Sequence, residues 1–159
     1  ILNRMASTME QRMDSIDWGP LEAFGLTRYE GVILASLIES EVRVAAERPI
    51  VSSVLYNRLT DGQRLEIDAT VLYGLGTRDP ALFNNESDSP YNTYLYAGLP
   101  PGPIANPGIA AIEAAINPAD TEFIYFVAAP SCDGAHLFAE TLEGHNANVA
   151  EFRASECAE

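Results

Sequence analysis

The run Val32-Ile33-Leu34-Ala35-Ser36-Leu37-Ile38-Glu39 sets a carboxylic acid at the end of seven apolar or small residues. Thr27 precedes the run and Glu30 follows three residues later, a capping-box pattern that starts a helix and carries it through Glu41. Glu39 then sits near the C-terminal end of a helix destined for a core. A carboxyl group among apolar side chains loses hydration of its charged form, which raises its proton affinity toward the range of a general acid near neutral pH. The competing reading makes Glu39 the exposed edge of an amphipathic helix, with Glu30, Ser36, Ser40 and Arg43 as solvated neighbours. Glu39 and Glu41 stand roughly 200° apart around a helix, so only one of them can line a given cleft.

Upstream, Leu2, Met5, Met9 and Met13 recur at helical spacing between Ile1 and Ile16, before a turn at Gly19-Pro20. Downstream, Ile50, Val51, Val54, Leu55 and the polar pair Asn57-Arg58 predict a helix from Ala46 to Leu59, stopped at Asp61-Gly62. Leu65, Ile67, Ala69 and Val71 alternate with Arg64, Glu66, Asp68 and Thr70, a short strand pattern with one polar face. Residues 74 to 108 hold five of the eleven glycines and six of the ten prolines. A loop this long in a compact domain is functional or disordered, and its aromatics and Ile104 argue for order. Helix signals return from Gly108 to Ile116. A β-rich run at Phe123 to Ala129, a turn at Ser131 to Gly134 and a strand at His136 to Phe138 predict a hairpin. A closing helix from Thr141 to Arg153 is expected to bury Leu142, Val149 and Phe152. The expected fold is α+β, several helices against a small, mostly antiparallel sheet.

With 159 residues, 47% of them hydrophobic, the chain has material for one domain with a real core. The net charge is -14, and all nine basic residues are Arg. Phosphate-backbone binding needs a concentrated positive surface, so nucleic acid is excluded as a partner class. No basic-then-apolar signal pattern and no long uncharged apolar stretch is present. Cys132 and Cys157 lack the paired spacing of a structural zinc site; a disulfide and two free thiols are both open readings. His136, Glu140 and His145 match no compact zinc motif either.

Several segments then fall in a recognisable order: the Glu39 helix, Tyr56-Asn57-Arg58-Leu59, Arg64 to Gly74, Tyr91-Asn92-Thr93-Tyr94, Gly98 to Pro107, Tyr125-Phe126-Val127-Ala128, and His136 through His145-Asn146. Together they resemble the catalytic domain of the endolytic murein transglycosylases, the YceG-like family, over roughly residues 27 to 153. Residues 1 to 26 form an N-terminal helix and linker in this reading.

The resemblance implies an enzyme that cuts the MurNAc-GlcNAc linkage within nascent peptidoglycan strands and leaves 1,6-anhydro-MurNAc ends. It places the catalytic acid on Glu39, in Ala35-Ser36-Leu37-Ile38-Glu39, and implies no metal and no cofactor. Substrate contacts are expected from Asn57, Arg64, Glu66, Asp68, Thr70, Tyr91, Asn92, Thr93, Pro101, Asn106 and His136. Residues 91 to 94 put amide and hydroxyl groups beside aromatic faces, which suits N-acetyl sugars; the alternative is an Asn-stabilised turn with buried tyrosines. The prolines from Pro100 to Pro107 make a stiff wall of the glycan cleft, or a purely structural loop. The family usually has Gln where this chain has Glu66 and Pro where it has Ala69, so a hydrolytic muramidase using Glu39 with Glu66 or Asp68 is one alternative. A non-catalytic peptidoglycan-binding module is another. The family also carries a single-pass anchor and a LysM-like region before this domain, which this chain does not show. The expected location is thus the outer face of the bacterial inner membrane, with peptidoglycan and the wall-synthesis machinery as partners.

Overall fold

A computed structural model describes residues 2 to 158. Among these, helices α1 (Leu2–Asp14), α2 (Gly19–Ala23), α3 (Arg28–Glu41), α4 (Arg48–Thr60), α5 (Asp68–Gly74), α6 (Ile109–Ile116) and α7 (Leu142–Arg153) accompany strands β1 (Tyr125–Ala128) and β2 (His136–Ala139). The strands pair antiparallel, from Tyr125 opposite Ala139 to Ala128 opposite His136. The α+β expectation holds.

The capping box forms as expected: the Thr27 hydroxyl accepts from the Glu30 N–H, and the Glu30 carboxylate accepts from the Thr27 N–H at 2.8 Å. From there Gly31 to Ile38 are all buried. Helix α3 is therefore the central element, packed mainly on α6 and α4. Leu34, Leu37 and Ile38 are fully buried, each contributing about 1.5–3 kcal/mol of transfer free energy. Gly31 lets this helix approach α2, since a Cβ there would lie 2.7 Å from Leu21 Cδ2 and 3.1 Å from the Trp18 ring. Trp18 is fixed by its own indole N–H, which donates to the Met13 carbonyl at 3.0 Å.

The expected strand at residues 65 to 71 is not formed. The chain turns through a left-handed Glu66, Ile67 alone is extended as the N-cap, and Asp68 opens α5. Among the described residues no neighbouring strand offers a ladder there. The Ile67 N–H donates to Thr93 Oγ1 at 3.0 Å, and the Thr70 hydroxyl donates back to the Ile67 carbonyl at 2.6 Å, which closes a helical turn. Leu65, Ile67 and Val71 are still buried, so the apolar pattern marked a core-facing segment but misjudged its period. The helix expected from Ala46 begins with a 3-10 turn at Ala45–Glu47 before α4 proper. In the first helix Met9 is half exposed and Met13 packs against the core; Ile1 and the side chains of Leu2 and Met5 lie outside what is described.

The hairpin carries aromatic rings that α7 covers. Phe123 and Phe138 stack at 5.6 Å, and Tyr125 stacks on His145 at 4.9 Å. Val149 and Phe152 are half-buried, but Leu142 is 58% exposed, because it sits in the first turn of α7, one residue after the Thr141 cap. Cys132, in the hairpin turn, is joined to Cys157 by a disulfide that ties this turn to the chain beyond α7.

Candidate active site

Helix α3 delivers Glu39 and Ser40 into an open cleft of about 900 Å³. One wall is α5 and the turn after it, through Ala69, Leu72, Tyr73, Gly76, Thr77 and Arg78; the other is the Pro/Gly-rich loop, through Ile104 and Ala105. The loop wall is fastened to the acid-bearing helix by Ser36. Its fully buried hydroxyl donates to the Ile33 carbonyl at 2.7 Å and accepts from the Ile104 N–H at 3.0 Å. Glu39 Oε2 accepts from the Gly108 N–H at 3.3 Å, which steadies the carboxylate at the mouth of α6. Glu39 itself is exposed. The expected desolvation is therefore absent from the open cleft: residues 31 to 38 are buried all round the helix, and burial ends in the last turn, where Glu39 and Ser40 emerge on the face of buried Ala35 and Ser36.

The carboxyl group with raised proton affinity is Glu41. It is half-buried at the last position of α3, and burial together with the Asp68 charge pushes its pKa to about 7, opposed by the Ala69 N–H. Asp68 in turn accepts from the Tyr94 hydroxyl at 2.6 Å. Burial, that hydrogen bond and the charges of Asp68, Glu66 and Glu41 all push the Tyr94 phenol upward. Glu41, Asp68 and Tyr94 thus form a network behind the α5 wall.

The remaining expected contact residues divide by environment. Thr70, Asn92 and Thr93 are buried and serve the scaffold: Thr70 and Thr93 share a hydroxyl hydrogen bond at 2.8 Å, and the Asn92 amide donates to the Asn85 and Ser87 carbonyls while its oxygen accepts from the Tyr94 N–H. Asn57 spends its amide on the Thr121 and Phe123 carbonyls, pinning α4 to the approach of β1. His136 is held by Glu47, with Nδ1 2.7 Å from one carboxylate oxygen and its N–H on the other. None of these five side chains lines the Glu39 cleft.

Glu66 pairs with the buried Arg58 at 3.0 Å and holds a left-handed backbone at φ 54°, and Arg64 donates to the Tyr94 carbonyl. Both belong to a separate shallow hollow beside Tyr125, so Glu66 is not a partner carboxylate facing Glu39 across the cleft. Pro101 lines another hollow of about 710 Å³, with Phe24, Tyr29 and Leu99. Tyr91 lies between the two larger clefts. Its ring is 4.7 Å from that of Tyr73, and its hydroxyl, with that of Tyr29, converges on Gly102, where a Cβ would meet them at 3.2 and 3.1 Å. Asn106 is exposed and follows Ala105 of the cleft wall.

Tyr73 and Arg78 escaped the sequence reading. The signal was Ala69, Leu72 and Tyr73, which share a face only if residues 68 to 74 are helical. What the cleft offers is one solvated carboxylate held by a backbone N–H, a tyrosine face, an arginine and short apolar walls.

Comparison with known proteins identifies the family and the fold. A model described as the YceG-like family matches residues 1–151. A protein of Bacillus subtilis named endolytic murein transglycosylase is 47% identical over 115 residues, covering 71% of this chain and 31% of that protein. One of the same name from Streptococcus pneumoniae is 33% identical over 159 residues, covering 95% of this chain and 28% of that protein. A crystal structure of a YceG-like protein from Listeria monocytogenes matches with a TM-score of 0.74 and 40% identity, covering 80% of this chain and 42% of that one. The chain spans about a third of the length of the curated relatives it matches. On the match over residues 1–151 and the agreement in fold, this chain belongs to the YceG-like family.

Proposed function

We propose that this chain carries the catalytic unit of an endolytic lytic transglycosylase, acting on the MurNAc-GlcNAc bond within peptidoglycan strands with Glu39 as acid and then base. The observation that carries this reading is Glu39 itself, presented by a buried helix into an open cleft between two fixed walls, with one oxygen on the Gly108 N–H. A glycan strand laid in the cleft excludes water from the carboxyl group, and desolvation favours its uncharged form. The apolar lining of Leu72, Tyr73 and Ile104 serves that purpose.

The Glu39 carboxyl proton passes to the glycosidic oxygen as the bond from that oxygen to MurNAc C1 breaks. The sugar gains oxocarbenium character. The Glu39 carboxylate then takes the proton of the MurNAc C6 hydroxyl while O6 bonds to C1. Proton and electron pairs balance without water, and Glu39 ends as it began. Glu66, paired with Arg58, and Asp68, bound to Tyr94, are engaged elsewhere, which favours this one-carboxylate route over hydrolysis.

The reading extends to the family's setting, the outer face of the inner membrane, with the wall-synthesis machinery nearby. Digestion of uncrosslinked strands in ¹⁸O-water tests the chemistry. Products lighter by one water and free of label are expected; reducing ends carrying ¹⁸O refute it.

A further inference from the structure

The nine arginines can be traced one by one. Arg58 is buried under Tyr125 and bonded to three carbonyls and Glu66. Arg64 holds the Tyr94 carbonyl, Arg28 lies over Trp18, Arg43 packs against Gly134, and Arg48 is half-buried at the start of α4. Arg4 and Arg12 lie on α1 and Arg153 on α7. Arg78 remains. It is exposed, makes no ion pair among the described residues, and lines the Glu39 cleft.

Among the described residues no other basic residue lines that cleft, in a chain of net charge -14. An acidic protein repels anionic ligands at long range, and among the described residues Arg78 makes no ion pair even with Glu39, the carboxylate of its own cleft, so its guanidinium is left to meet a negative charge on a ligand. A bare glycan strand of N-acetyl sugars offers few such charges. The muramyl unit, however, bears a peptide through the lactyl group on C3, two ring atoms from the C1 that is cut. The lactyl carboxyl is spent in an amide bond, so the free carboxylates lie further along the stem, on a flexible arm rooted beside the bond that is cut. Guanidinium geometry suits a carboxylate, which it can grip with two parallel N–H donors.

We propose that Arg78 is a specificity-determining residue that binds a carboxylate of the stem peptide, so that the cleft selects glycan carrying uncapped acidic stems. This rests on the peptidoglycan reading of the Glu39 cleft. The test compares wild type and Arg78→Gln on uncrosslinked strands with free stem carboxylates, and on the same strands after those carboxylates are converted to amides. A solvent-accessible charge-assisted contact predicts that amidation lowers wild-type kcat/KM about fivefold, and that Arg78→Gln lowers it equally on the free-acid strands. The variant is expected to be indifferent to amidation, and the wild-type preference to shrink with added salt.

If Arg78→Gln keeps the full preference for free carboxylates, or if the wild type has none, the assignment of Arg78 is overturned while the reading of the cleft stands. If the wild type cleaves neither strand, the cleft reading fails and takes the assignment with it.

Discussion

Replacing Ser36 by Ala removes one oxygen atom and strands one amide. The Ser36 hydroxyl is fully buried and is the partner of the Ile104 N–H, itself buried in the loop wall of the cleft. An orphaned buried N–H costs about 1–3 kcal/mol. Ala gains back roughly 0.5 kcal/mol in helix propensity, leaving a net loss of about 1–2 kcal/mol. For a chain of this size that lowers Tm by about 2–8 °C. Ser40→Ala is the matched control, because the Ser40 hydroxyl donates only to the Ser36 carbonyl one turn back, with no tertiary acceptor. Its effect is expected within about 0.5 kcal/mol. Thermal and urea unfolding of both variants, with the disulfide intact, gives the comparison. Amide exchange at Ile104 is also expected to accelerate in Ser36→Ala alone. Equal stability of the two variants, or unchanged exchange at Ile104, refutes the claim that Ser36 pins the loop to the acid-bearing helix.

Three further outcomes follow from the packing. Glu41 has its pKa raised to about 7 in the folded chain, so the folded state holds a proton that the unfolded state releases near 4.5. The contribution of Glu41 to stability is then fully present below that lower value and falls as pH rises through 7, by about 3 kcal/mol; Glu41→Gln is expected to flatten this slope in urea titrations from pH 5 to 8. Gly31→Ala forces a methyl group against Leu21 and Trp18, and calorimetry should show a loss of about 1–3 kcal/mol instead of the gain expected for Ala in a free helix. Replacing both Cys132 and Cys157 by Ser opens a cross-link with a sequence separation of 25, and denaturant unfolding should show a loss of about 3 kcal/mol.

Much of the scaffold was legible in the sequence because local signals and burial agreed. The Thr27 and Glu30 pair marked the start of α3, the apolar run marked its burial, and the turn from Ser131 to Gly134 marked the hairpin. Residues 65 to 71 misled because alternation and helical spacing coincide over so short a run, and the deciding partners, Thr93 and Tyr94, come from a distant loop. Glu39 as a candidate was legible in the sequence, but its environment was not. One residue, about 100° around the helix, separates buried Ile38 from exposed Glu39, and periodicity cannot say where along a buried helix a cleft opens. Glu41 was set aside as facing away from Glu39, and only the fold reveals that it meets Asp68. Thr70, Asn92 and Thr93 lie in motifs that resemble the family's, yet here their polar groups are consumed by the scaffold. A motif match does not by itself distinguish a residue that touches substrate from one that shapes the wall.

The central claim is that Glu39 alone supplies both proton transfers, and the direct test is mass spectrometry of uncrosslinked glycan strands digested side by side by the wild type and by Glu39→Gln. The account predicts anhydro-MurNAc ends from the wild type and their loss, by at least a hundredfold in rate, in a variant that still folds and binds glycan. Anhydro ends formed at an undiminished rate by Glu39→Gln would contradict it.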